Sequence, residues 1–239
     1  WMFPIAIVCG NCFILKPSEK DPSCSVKLAE LLSEAGFPDG VMNEVHGDKE
    51  MVDAILEHPD IATFSFVGST PVAEYVYSKA SSAGKRVQAL GGAKNHAVVM
   101  SDADLEQTAN AIIGAAYGSA GERCMAISAV VAVDAIAEPL KEILIQKIET
   151  LKIGPGKDPN NDMGHLITKE HKQKVMDYIE SGESSGAELV IDGREHPITN
   201  EGAGFFLGPT LFDHVAADTS IYLEEIFGPV LVMLRAKNF

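Results

Sequence analysis

The sequence predicts an α/β protein of two lobes that meet near residue 94, an open parallel-sheet lobe followed by a second α/β lobe. Three observations predict it. Strand and helix signals alternate along residues 1–94. The strand-like runs are spaced by helix-length amphipathic stretches, which requires right-handed crossovers and parallel pairing. After Gly91-Gly92 the alternation continues around Ile127–Val133, a β-branched run of the kind buried on both faces.

Cys12 to Leu15 is a short apolar run ending in Lys16-Pro17. A helix follows with Val26, Leu28, Ala29, Leu31, Leu32 and Ala35 on its apolar side, and Gly36 and Pro38 stop it. Val41 to Val45 reads as a second strand, Lys49 to Leu56 as a short helix and Thr63 to Val67 as a third strand. Gly68-Ser69-Thr70-Pro71 opens a helix through about Ser81, and Arg86 to Leu90 is the fourth strand. In the second lobe His96 to Met100 is strand-like, and Leu105, Ala109, Ile112, Ile113 and Ala116 form a helical stripe. Ile127 to Val133 is a strand, and Leu140, Ile143, Leu144 and Ile148 mark the next helix. A long loop over Gly154 to Gly164 precedes a helix from about Lys169 to Glu180. Strands at Glu188–Ile191, near Phe206–Phe212 and at Val230–Leu234 complete the lobe. The reading is 1–94 as one domain and 95–239 as the other, both incomplete.

Composition excludes several classes. The chain has 239 residues, a net charge of −15, and 46% hydrophobic against 22% charged residues, the balance of a globular protein. The acid excess, with no basic stripe, argues against nucleic acid as a partner. No apolar run approaches the roughly 18–20 residues that span a bilayer. Trp1 is not an initiator Met, and Trp1 to Val8 lacks the basic region and cleavage site of a signal peptide. Leu234 to Phe239 follows a strand with no turn or tail, so both ends read as interior to a longer protein. Cys9 and Cys12 form a Cys-x-x-Cys with no second pair at zinc spacing, and no metal site is expected. Cys9, Cys12 and Cys24 read as small hydrophobes in a reducing compartment. The expected location is the cytoplasm, or the mitochondrial matrix if the source is eukaryotic.

Three segments carry candidate chemistry. Gly68-Ser69-Thr70-Pro71 lies where a strand becomes a helix, so free N–H groups there suit an anion, or simply cap the helix. Lys16-Pro17-Ser18-Glu19 lies just past a strand end, where open α/β sheets bind ligands. A Lys and a Glu there suit the hydroxyls of a ribose, or form a solvated charge pair. Cys124 lies among small residues in Gly118 to Met125, with Arg123 beside it to favour the thiolate that attacks a carbonyl. A buried structural cysteine is the alternative.

Taken together the motifs are specific. Lys16-Pro17-Ser18-Glu19, Phe66-Val67-Gly68-Ser69-Thr70, Leu90-Gly91-Gly92-Ala93-Lys94-Asn95, Gly121-Glu122-Arg123-Cys124 and Glu224-Glu225-Ile226-Phe227-Gly228-Pro229 occur in one order along the chain. In that order and spacing the sequence resembles the aldehyde dehydrogenase superfamily over essentially its whole length. Gly91 to His96 and Arg123 to Ala126 resemble its CoA-acylating methylmalonate-semialdehyde dehydrogenase branch. The resemblance implies an NAD-binding lobe and a catalytic lobe. Cys124 is then the nucleophile that forms a thiohemiacetal and, after hydride transfer to NAD, a thioester. Lys16 and Glu19 match adenosine-ribose contacts, Lys20 lies beside the adenine end, and Ser69 lies at the pyrophosphate. Gly91, in the Gly-Gly motif, belongs with these cofactor-binding positions. Glu225 matches the nicotinamide-ribose contact, Phe227 the ring beside the nicotinamide, and Arg123 the grip on a substrate carboxylate. A homo-oligomer, dimer or tetramer, is implied for the full-length protein.

The departures sharpen the reading. Hydrolytic members carry a Glu just before Leu-Gly-Gly as general base, and Gln88-Ala89 stands there instead. Neither side chain accepts a proton near neutral pH. The thioester is therefore expected to await the thiolate of CoA, a co-substrate, and the β-carboxylate of a 3-oxo acid to depart as bicarbonate. The resemblance also places the oxyanion-hole Asn and a second substrate Arg ahead of Trp1, and loss of one such donor costs ~10²–10³ in rate. A hydrolytic aldehyde dehydrogenase using Glu122 or Glu225, and a non-catalytic NAD-binding fragment, are the alternatives.

Overall fold

The computed structural model describes residues 2–200 and 204–238. The chain forms two compact units, Trp1–Gly92 and Ala93–Phe239.

The first unit contains α1 (Met2–Val8), β1 (Phe13–Leu15), α2 (Ser23–Glu34), β2 (Met42–Glu44), α3 (Lys49–Glu57), β3 (Thr63–Val67), α4 (Thr70–Ser82) and β4 (Arg86–Leu90). Every strand and helix expected between Cys12 and Leu90 is present, and α1 is an element that the sequence patterning did not signal. The expected open parallel pairing is present, as two separate pairs. β1 pairs only with β2 and β3 only with β4 among the described residues, each pair parallel and joined by its own crossover helix. With three residues each, β1 and β2 offer few ladder bonds to extend a sheet. The core of this unit is small: Leu56, Val76 and Ala80 are buried, with Phe64, Phe66, Val87 and Ala89 packed against them. Asp48 caps α3 by accepting from Glu50 N at 3.2 Å.

The cysteine expectation is corrected. Cys9, Cys12 and Cys24 are free and exposed, not packed as hydrophobes. Cys9 follows the C-terminal end of α1, and Cys12 directly precedes β1. The helix terminus beside the pair is the one that does not stabilise a thiolate.

The second unit contains β5 (Asn95–Val99), α5 (Leu105–Tyr117), a 3₁₀ turn (Gly118–Gly121), β6 (Ile127–Val133), α6 (Asp134–Glu149), α7 (Lys169–Ser184), β7 (Glu188–Ile191), α8 (Pro197–Asn200), β8 (Thr210–Asp213), α9 (Ser220–Leu223) and β9 (Val230–Ala236). Its sheet has the order β5-β6-β9-β8-β7, parallel except for β7 against β8. β9 is buried over Val230–Met233, which is why that run is continuously apolar, and β8 is buried over Thr210–Asp213, where Leu211 and Phe212 lie between two buried polar residues. α5 and α6 pack on each other and on β6 and β9, and Leu140, Leu144, Leu211, Leu231 and Phe212 are sealed in the core. α6 begins well before its apolar stripe, so Pro139 lies inside the helix. Buried Asp213 is neutralised by Arg235 and by Lys141 at 3.4 Å. No helix among the described residues is long and apolar enough to cross a membrane.

Candidate active site

The second unit builds the site around one tight turn. α5 is capped by Asp104, whose carboxylate accepts from Gln107 N at 3.0 Å, and ends at Tyr117, whose hydroxyl donates to Thr210 O at 3.0 Å. The chain then reverses through Ser119 and Ala120, both at φ 53°, and Gly121 at φ 70°. Two successive non-glycine residues in the left-handed region store backbone strain, as turns that aim functional groups often do. Gly121 is required by space as well as by φ. A Cβ there would lie 2.2 Å from the Gly228 carbonyl oxygen, so the turn presses directly on the Glu225–Gly228 segment. Phe227 in that segment is itself left-handed, at φ 58°.

Emerging from this turn, Cys124 presents an exposed, free thiol. Its backbone is fixed by Asn95, whose side-chain amide donates to Cys124 O at 2.8 Å and Ala126 O at 2.9 Å. Arg123 Nη2 donates to Gly114 O at 2.8 Å and Ala115 O at 2.9 Å, closing the C-terminal carbonyls of α5. Part of the guanidinium is thus structural, and Nε and Nη1 make no hydrogen bond among the described residues. A recess of about 340 Å³, bulk solvent at its mouth included, is lined by Asn95, Arg123, Cys124, Glu225 and Phe227 among others. Four of the residues singled out in the sequence are therefore brought together here.

Glu225 comes to the recess from the Glu225–Gly228 segment. Its Oε1 accepts from Ala93 N at 3.2 Å. Lys94 Nζ donates to Ile221 O at 2.7 Å and Glu224 O at 2.8 Å, fastening the segment just before Glu225. Burial pulls the Lys94 amine down to about 8, partly offset by the charges of Glu225 and Glu224. His171 on α7 holds the other flank, donating from Nε2 to Phe227 O at 2.6 Å. Sequence reading quoted Lys94 only as part of a motif and missed His171, which lies far from both segments it joins.

Glu122 does not serve the recess. Its Oε1 accepts from Ile167 N at 3.3 Å and lies 3.5 Å from His171 Nε2, and burial raises its carboxyl above the ordinary value. It does not line the recess, where Glu225 is the one carboxylate among the described residues. The reading in which Glu122 activates water loses its geometry.

The first unit carries the remaining expected contacts. Lys16 Nζ donates to Glu19 Oε2 at 3.2 Å, and Lys20 N donates to Ser18 Oγ at 3.3 Å. The backbone at Glu19, and then Lys16, hold the Glu19 carboxyl below its usual range. Ser69 is the N-cap of α4 and its side chain makes no cap bond, while Pro71 contributes no N–H. The hydroxyl and the free N–H groups of this first turn suit a phosphate. Gly91 and Gly92 lie against the same turn. Gly92 N donates to Thr70 Oγ1 at 3.0 Å, and a Cβ on Gly91 would lie 2.9 Å from that oxygen. The donor set fits a dinucleotide: an unspent hydroxyl and helix terminus for pyrophosphate, and Lys16 with Glu19 for ribose hydroxyls.

One further cluster, Glu188, Asp213 and His214, places three groups that ligate metals within 4.8 Å of one another. The Asp213 carboxylate is already committed to Arg235 and Lys141, so the cluster reads as an ion-pair network.

The chain is similar to known proteins over its whole length. The Aldehyde dehydrogenase family matches residues 1–239. Malonate-semialdehyde dehydrogenase of Pseudomonas aeruginosa is 56% identical over 239 residues, covering 100% of this chain and 48% of the relative. The Halalkalibacterium halodurans protein of that name is 56% identical over 238 residues, covering 100% and 49%. The crystal structure of methylmalonate-semialdehyde dehydrogenase from Oceanimonas doudoroffii superposes with a TM-score of 0.94 at 57% identity, covering 98% of this chain and 48% of that one. A Sinorhizobium meliloti structure described as methylmalonate-semialdehyde dehydrogenase complexed with NAD gives 0.95 at 57% identity, covering 100% and 49%. The chain spans about half the length of these relatives. With a match that runs from end to end, and an exposed cysteine held between two strained segments, the chain belongs to the aldehyde dehydrogenase family.

Proposed function

We propose that the protein oxidises methylmalonate semialdehyde, and malonate semialdehyde, with NAD through a thioester on Cys124, and passes the decarboxylated acyl group to CoA. One observation carries this reading. The recess joins the Cys124 thiol to the Arg123 guanidinium and to Glu225, the one carboxylate lining it among the described residues, whose Oε1 accepts from Ala93 N.

The Cys124 thiolate attacks the aldehyde carbon, forming a carbon–sulfur bond and an oxyanion. Bound NAD supplies the hydride acceptor. Loss of hydride from that carbon leaves a thioester on Cys124. Lys16, Glu19, Lys20, Ser69 and Gly91 are assigned to the adenosine and pyrophosphate end, and Glu225 and Phe227 to the nicotinamide end. Arg123 is assigned to the substrate carboxylate through its unspent N–H groups, since a guanidinium matches carboxylate geometry. That carboxylate is now β to a thioester carbonyl. Its carbon–carbon bond breaks toward the carbonyl, the enolate takes a proton, and the one-carbon unit leaves to become bicarbonate. CoA thiolate then attacks the acyl carbon and Cys124 departs as thiolate, giving propanoyl-CoA or acetyl-CoA. Gln88-Ala89 stands where hydrolytic members carry their general base, and among the described residues Glu225, assigned to the nicotinamide end, is the one carboxylate lining the recess, which favours the thiol acceptor.

We further propose a homo-oligomer, dimer or tetramer, located in the cytoplasm. The test of the reaction is an NADH absorbance trace of the intact protein with methylmalonate semialdehyde and NAD, with and without CoA. A brief burst that becomes sustained turnover only with CoA supports it. Equal steady rates without CoA assign the second half-reaction to water.

A further inference from the structure

We infer that Glu44 is a ligand-binding residue of the first unit, accepting a hydroxyl or amino hydrogen from the adenosine end of the dinucleotide. The inference rests on the NAD reading above and extends it to a residue that the reading does not use. Glu44 is the last residue of β2 and pairs in parallel register with Leu15, the last residue of β1. Val45 N donates to Leu15 O at 3.0 Å, so the two strands end level with each other. Lys16 follows directly, opening the segment that ends at Glu19. Parallel α/β units bind ligands off the carboxyl ends of their strands, and an acid near such an end is a common partner for ribose hydroxyls.

Glu44 stands on the same face of β2 as Met42, two residues back, where the alternation calls for an apolar residue. Its side chain is 9% exposed, and Oε1 is fully buried with no hydrogen-bond partner among the described residues. His46 Nε2 lies 3.6 Å away, within ion-pair reach when the imidazole is protonated but beyond hydrogen-bond distance, so it donates no hydrogen bond to that oxygen. Lys16 does not donate to it either, because that amine is bonded to Glu19. A buried carboxylate oxygen without a donor is costly, so keeping one here requires a donor from elsewhere. Adenosine supplies such donors in its ribose hydroxyls and its amino group. Glu19 and Glu44 together also oppose a phosphate on that ribose, and so favour NAD over NADP.

The test is isothermal titration of the intact protein and its Glu44→Gln and Glu44→Val variants with NAD, its 2′-deoxyadenosine analogue and its hypoxanthine analogue, alongside thermal melting. Glu44→Val is expected to bind NAD about tenfold more weakly, the scale of one charge-assisted hydrogen bond. Glu44→Gln, which keeps a neutral acceptor, falls between. The parent discriminates against the analogue that lacks the bonded donor, hydroxyl or amine, and Glu44→Val loses that discrimination. Glu44→Val melts no lower than the parent, because the oxygen it removes has no protein partner. NAD affinity within twofold of the parent in both variants overturns the assignment. So does a lowered melting point with affinity intact, which marks a partner within the intact protein. A parent that binds no NAD is a separate outcome, and sinks the NAD reading together with this one.

Discussion

The two units spend their polar groups differently. In the second, almost every polar group near Cys124 is already bonded: Asn95 to two carbonyls, Arg123 to two more, Lys94 to the residues before Glu225, and Glu225 to Ala93. In the first, two of the groups assigned to the dinucleotide are held back. Ser69 caps α4 without using its hydroxyl, and Glu44 has an oxygen with no partner. A centre that must hold one geometry through a bond-making step gains from fixed groups. A surface that must capture and release a soluble dinucleotide gains from groups whose best partner is the ligand.

Substitutions break or sharpen that contrast, beginning with the largest effect. Cys124→Ser is expected to abolish NADH formation, by a factor of at least about 10³, while NAD affinity stays within a few-fold. Persistent turnover removes the nucleophile assignment. Gly121→Ala and Gly84→Ala form the next comparison, since both glycines have φ near +70° but only Gly121 meets a backbone oxygen. Alanine at 84 is expected to cost about 1–2 kcal/mol for the left-handed backbone alone. Alanine at 121 costs more and displaces Phe227, which urea unfolding and the rate of acylation together report. Equal costs at the two sites mean that the turn is not pressed against Gly228 as described.

Arg123→Leu is expected to slow methylmalonate semialdehyde far more than propanal, because only the former carries a carboxylate. If both slow alike, the guanidinium acts through the α5 carbonyls it closes. Lys94 contributes a pH signature. Its folded value of about 8 lies below the ordinary 10.5, so the unfolded chain binds more protons between them and stability rises with pH across that window. Lys94→Met flattens that slope and raises KM for NAD by loosening Glu225. The smallest effect belongs to Ser69→Ala. With no cap bond to lose, stability changes by less than about 0.5 kcal/mol, against about 1 kcal/mol for a bonded cap such as Asp48. NAD affinity falls a few-fold all the same.

Much of this was legible beforehand, for identifiable reasons. The 3.6-residue stripe from Leu105 to Ala116 and the β-branched run from Ile127 to Val133 are local signals, and both elements appear where expected. Cys124, Arg123, Glu225 and Phe227 were marked by motifs, and they line one recess. Sheet order was not legible, because which strand pairs with which depends on contacts distant in sequence, and the first unit makes its parallel pairing as two separate pairs. His171 was invisible for the same reason, since its bond to Phe227 spans 56 residues. Glu44 had a signal that went unused: an acid at the apolar beat of a three-residue strand. Glu122 misled, because adjacency in sequence to Cys124 says nothing about the face on which its carboxylate emerges.

The central claim is that the acyl group waits on Cys124 for a thiol. Mixing the intact protein with NAD and methylmalonate semialdehyde without CoA, quenching in acid and sequencing peptides by mass spectrometry tests it directly. The account predicts a propanoyl adduct on the peptide carrying Cys124, stoichiometric with the NADH formed and discharged when CoA is added. Continued NADH release beyond one equivalent with Cys124 unmodified contradicts it.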